Sequence, residues 1–182
     1  MILNQNLDWS QVALLDEGRV GAAFQLAFGA PTKELLPPGM SIYKFNGYRT
    51  VTRHDPPQKT DDMSPWWSPT KPFKHDPGLE EKRRFARMAG VTLREYGRIT
   101  SAVSEDWNSL ANILEIQLSD PVYAWFGGFK SQPRVQNPTS PNRRDARVEA
   151  RGIGSRLAGG ATQFYIPNLK YAHVGAYTVT AI

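Results

Sequence analysis

Asn112-Ile113-Leu114-Glu115-Ile116-Gln117-Leu118-Ser119-Asp120-Pro121-Val122-Tyr123-Ala124-Trp125-Phe126 decides the fold class. Ile113, Glu115 and Gln117 interleave with Leu114, Ile116 and Leu118, a β-prone alternation that predicts a strand over 112–118. Pro121 lacks an N–H and breaks the run, so a second strand is expected over 122–126. Upstream the period changes. Asp76 and Pro77 open a basic helix over 79–89, and Gly90 closes it. Thr92 and Glu95 form a capping-box pattern for a second helix running to about Trp107. Downstream, residues 161–166 and 174–182 read as two more strands joined by Pro167-Asn168. Toward the N-terminus, a strand over 40–45 follows the turn Leu36-Pro37-Pro38-Gly39, and an amphipathic helix is expected over 9–28. Helices and strands are segregated rather than alternating, which predicts an α+β fold with a split, mixed or antiparallel sheet and flanking helices.

The chain has 182 residues, enough for one domain with its own core. Hydrophobic residues make up 40%, which argues against wholesale disorder. Cysteine is absent, which excludes a disulfide scaffold, a Cys-ligated zinc site and a cysteine nucleophile. No metal is expected. The net charge of +5 favours anionic partners without choosing among nucleic acid, a phosphorylated ligand and an acidic protein surface. No stretch approaches a membrane span, and residues 1–10 carry no basic signal-peptide region. The expectation is synthesis in a reducing cytoplasm. Segment 130–156 holds Arg134, Arg143, Arg144, Arg147, Arg151 and Arg156 among prolines and glycines, and is expected to be a mobile basic loop.

No phosphate-loop, dinucleotide-fold, zinc-protease or serine-hydrolase motif is present. Of the three histidines, His54 and His75 each adjoin an aspartate in a Pro-rich loop, where a solvated turn pair is the commoner arrangement. Two stretches carry more information. Ser64-Pro65-Trp66-Trp67-Ser68 places tandem indoles in a Pro-rich loop, as a wall for a planar ring or as a plug for the core. Gly159-Gly160-Ala161-Thr162-Gln163-Phe164-Tyr165-Ile166-Pro167 sets a polar Gln inside an apolar strand, where it bonds either a ligand or neighbouring backbone. The paired glycines admit close approach by a ligand or another segment.

The order of three motifs resembles the ADP-ribosyltransferase-like toxin family. Gln163 to Pro167 is similar to that family's late-strand signature, with Gln in the place of Glu. Ser64 to Ser68 looks like the second-strand signature. Tyr43-Lys44-Phe45-Asn46-Gly47-Tyr48-Arg49 falls where the first strand's cation belongs, but with Lys44 at the strand position and Arg49 five residues on. The resemblance implies an ADP-ribosyltransferase-like fold over residues 39–182, with 1–38 as a helical leader or adaptor. It implies NAD as substrate, cleaved at the nicotinamide–ribose bond by hydrolysis or by transfer of ADP-ribose to a target. Gln163, Arg49 and Lys44 would be the catalytic groups, with Tyr43, Tyr48, Ser64, Trp66, Trp67 and Ser68 around the ligand. A glutamine cannot act as a base, which tilts the implied reaction toward hydrolysis. The same resemblance implies synthesis in a bacterial cytoplasm, an acidic immunity or inhibitor protein, export without a cleavable signal and action in a target-cell cytoplasm. Two other readings stay open. A nucleic-acid-binding or ribonuclease module would use the Arg-rich segments and tryptophans. A phage or secretion-system interaction protein would use the long loops for assembly.

Overall fold

A computed structural model describes residues 2–8, 23–25, 31–69, 79–135 and 156–182. The described part is α+β with mostly antiparallel strands. In chain order the strands are β1 (Phe24–Gln25), β2 (Thr32–Leu36), β3 (Ser41–Asn46), β4 (Trp66–Trp67), β5 (Asn112–Leu118), β6 (Val122–Phe129), β7 (Gln132–Pro133), β8 (Arg156–Leu157), β9 (Thr162–Tyr165) and β10 (Val174–Ala181). Two helices, α1 (Leu79–Met88) and α2 (Leu93–Thr100), stand between β4 and β5.

The 112–126 stretch sits at the centre of both large sheets. β5 is flanked by β10 and β3. β6 pairs with β9, β1 and β2, and β9 pairs with β4. The two sheets join where Tyr43 and Ser68 exchange backbone hydrogen bonds of 2.9 and 2.6 Å, giving one curled, split sheet. Registered partners share a face, and neighbours along a strand alternate. One face carries Ile42, Leu114, Ile116, Val122, Ala124, Phe164, Ile166 and Trp67, all buried, with Val51, Met63 and Leu169 packed over them. The other carries Phe24, Tyr165, Trp66 and Trp125.

Three expectations change. Phe24–Gln25 is a strand rather than helix, while residues 9–22 and 26–28 of the expected helix lie outside the described residues. Thr32–Leu36, unassigned in the sequence, is a full partner of β6. Four of its five positions are exposed, so no apolar alternation betrays it, and pairing alone makes the strand. The second helix stops at Thr100, not Trp107. Ala102 takes φ +48°, and the Val103 N–H turns back to the Arg98 carbonyl. The capping box is half-formed: Thr92 accepts from the Glu95 N–H at 3.1 Å, but the Glu95 carboxylate serves elsewhere.

That carboxylate meets Arg134 at 2.5 Å, and Glu105 meets the same guanidinium nitrogen at 2.8 Å. All three side chains are buried. Arg134 is therefore not part of a mobile basic loop. Beside it, β7 pairs with β8, so both ends of the Arg-rich segment are held, while residues 136–155 lie outside the described residues. Gly159 is required by another segment rather than by a ligand. Its φ is +78°, its N–H donates to the Ile99 carbonyl at 2.8 Å, and a Cβ there would strike the Phe129 carbonyl.

Candidate functional site

The candidate residues divide between the two faces. Lys44 and Trp67 lie on the face of the larger core, with Lys44 Nζ 5.6 Å from the Trp67 ring centroid. Tyr43, Ser68, Trp66 and Gln163 alternate onto the opposite face. Gln163 is 1% exposed, and its Nε2 donates to the Ala23 carbonyl at 2.9 Å. Of the two roles open to it in the sequence, it takes the backbone one. Phe24 closes over the same spot, filling the space left by Gly127, the register partner of Gln163.

The indoles likewise act separately. Trp67 is buried, and its Nε1 donates to the Ser64 carbonyl at 2.6 Å. Ser64 Oγ accepts from the Trp66 N–H at 3.3 Å, so Ser64 shapes the turn that sets the pair. Trp66 packs on Tyr165 at 4.6 Å and on Phe24 at 6.1 Å between ring centroids. Trp67 is a core aromatic, and Trp66 is half-buried with its ring packed on Tyr165 and Phe24.

What remains is a cleft of about 470 Å³ on the Lys44 face, within the usual range for small-molecule sites. β3 and β5 supply Lys44, Asn46 and Leu114, and the loop after β3 supplies Tyr48, Thr50, Val51, Thr52, Arg53 and Asp62. Tyr48 is 77% exposed at the mouth. Arg49, one residue on, is also exposed and is not among the lining residues. Among the described residues no carboxylate forms an ion pair with Lys44. Burial lowers its ammonium from 10.5 to about 8, because taking the charge out of water is not offset by a counter-charge. A desolvated cation that faces a cleft with an aromatic ring but, among the described residues, no paired carboxylate against it favours an anionic ligand.

A second ionisable group sits in the loop that lines this cleft, although neither it nor its partner His54 is a lining residue. Asp61 is 1% exposed and accepts from Thr52 Oγ1 at 2.6 Å, the Gln58 N–H at 3.0 Å and His54 Nδ1 at 2.5 Å. Burial alone would raise its pKa, but these hydrogen bonds and the neighbouring His54 bring it down to about 2. The sequence paired His54 with the adjacent Asp55. The partner is seven residues away, because the loop folds back between Thr52 and Asp61, and no local spacing announces it. His173 instead accepts from the Lys170 N–H at 3.0 Å, and His75 lies outside the described residues. Among the described residues no cluster of three or more His, Asp or Glu is placed to hold a metal, and no helix is long and apolar enough to cross a membrane.

No family model matches the chain, and no curated protein matches it. Two solved structures are similar in outline. One is Tne2 in complex with Tni2, at a TM-score of 0.48 and 10% identity, covering 84% of this chain and 94% of that one. The other is Rhs1-CT in complex with its cognate immunity protein RhsI1, at a TM-score of 0.37 and 16% identity, covering 84% of this chain and 76% of that one.

Proposed function

We propose that this chain is a toxin-type enzyme that takes NAD in the Lys44 cleft and hydrolyses its nicotinamide–ribose bond. One observation carries the reading: a desolvated lysine without a carboxylate partner among the described residues lines a cleft of about 470 Å³. A pyrophosphate supplies the charge that Lys44 lacks, with Arg53 as a second cation and the Thr50 hydroxyl as a further hydrogen-bonding group. The exposed Tyr48 ring at the mouth offers a flat surface for the nicotinamide or adenine ring. Gln163 has no part in this site, since it is buried on the far face. The split sheet supports an ADP-ribosyltransferase-like fold, and we place 39–182 in the catalytic unit, joined by strands β1 and β2 from the N-terminal part. An acidic immunity protein is the expected partner of a chain carrying +5, with delivery to a target-cell cytoplasm.

The test is nicotinamide release from NAD, alongside calorimetric binding of NAD, AMP and inorganic pyrophosphate. Turnover and binding in wild type, both lost in Lys44→Met, are expected. Binding of none of the three would end the reading. A nucleic-acid reading draws on a separate observation, the exposed Arg83, Arg84 and Arg87 of α1. It predicts RNA affinity that falls steeply with salt.

A further inference from the structure

Asp61 and His54 do more than close a loop. Asp61 is held by three donors within a buried pocket, and its carboxylate stays ionised throughout the neutral range. It binds Nδ1 of His54, which fixes the tautomer and turns Nε2 to the opposite side of the ring. The His54 side chain is 40% exposed while Asp61 is 1% exposed, so the free nitrogen is the one that reaches water. The pair stands next to the cleft in the chain: Thr52 and Arg53 precede His54, Asp62 follows Asp61, and these three line it, while His54 and Asp61 are not themselves lining residues. A buried carboxylate orienting a solvent-facing imidazole is the construction that makes histidine a proton acceptor at a reacting centre.

We infer that His54, oriented by Asp61, is the general base that activates the attacking water at the Lys44 cleft. The inference rests on the NAD reading above. In the step, His54 Nε2 takes a proton from water, and the water oxygen forms the new bond to the ribose C1′. The C1′–N bond breaks, its electron pair goes to the departing nicotinamide, and the proton is later released to solvent. No other reactant is needed. Asp61 is a positioning residue, because it acts through His54.

The experiment measures nicotinamide release by full-length wild type, His54→Ala, Asp61→Asn and His54→Gly with added imidazole, together with NAD binding and thermal melting of each. His54→Ala is expected to lose about 100-fold in kcat with KM nearly unchanged, the size of a general-base contribution. Asp61→Asn is expected to lose less, and imidazole is expected to restore part of the rate to His54→Gly. A purely structural His54 would lower the melting temperature and show no imidazole rescue. Turnover in His54→Ala equal to wild type overturns the role of His54 while leaving the cleft as the NAD site. No turnover in wild type overturns both. Binding lost in His54→Ala along with its melting transition is read through His54→Gly: no rescue there counts against the inference, and rescue supports it.

Discussion

Replacing Lys44 by Met should make the protein more stable and remove its ligand binding. The magnitude follows from the charge. The folded-state pKa lies near 8 against 10.5 for a solvated lysine, and at about 1.36 kcal/mol per unit the buried ammonium costs up to about 3 kcal/mol below pH 8. Against this, the contact with the Trp67 ring contributes about 0.5–2 kcal/mol that methionine gives up in part. The net gain is therefore about 1–2 kcal/mol, or roughly 2–8 °C in Tm for a chain of this size. The sign with pH is fixed. Between pH 8 and 10.5 the unfolded chain binds more protons at this residue than the folded one, so this lysine's contribution makes wild type gain stability as pH rises through that window. The advantage of Lys44→Met should thus be full at pH 7 and shrink toward pH 10.5. Urea titrations at pH 7, 9 and 10.5 measure it. The ligand reverses the order: at about 100 times Kd it adds about 2.7 kcal/mol to wild type and nothing to the variant. A Lys44→Met protein no more stable than wild type at pH 7 would refute the claim that Lys44 lacks its partner.

Arg134→Ala should cost about 3–5 kcal/mol at neutral pH, because two buried carboxylates lose their shared cation. Burial already raises the Glu95 pKa, so the folded form holds the extra proton there, stability falls as pH rises above the usual carboxylate range, and the variant should recover stability on mild acidification in a melting series. Asp61→Asn should flatten the acid limb of the stability curve: the depressed pKa contributes stability that is present above 3.8 and lost as pH falls toward about 2. Gln163→Ala should lower stability by about 1–3 kcal/mol through its lost hydrogen bond and the space it leaves, the Ala23 carbonyl still accepting from the Lys130 N–H, and leave nicotinamide release unchanged. Loss of turnover in a folded Gln163→Ala would move the reacting centre to the other face of the sheet.

The α+β class was legible from period and punctuation. Ile113 to Leu118 alternates, Pro121 interrupts, Gly90 ends a helix, and each feature acts within a few residues of where it stands. β2 was hidden, because Thr32, Lys33, Glu34 and Leu35 face solvent and the strand exists only by pairing with β6. The candidate site was half legible. Lys44 and Tyr48 could be picked as residue types, and both line the cleft. Gln163 and Trp67 could be picked as unusual, but strand register sends one to each face, and a one-residue alternation decides between a ligand contact and a core contact.

Sequence by itself determined the central strands and the α+β class, the absence of thiol chemistry and the excess of positive charge, because those depend on local geometry and composition. Tertiary structure alone decided which charges are compensated. Arg134, one of many arginines in a basic stretch, found two buried carboxylates, whereas Lys44 on a regular strand found none among the described residues. His54 passed over its neighbour Asp55 for Asp61. Coulombic pairing and desolvation depend on distance in space, and only the folded chain sets those distances.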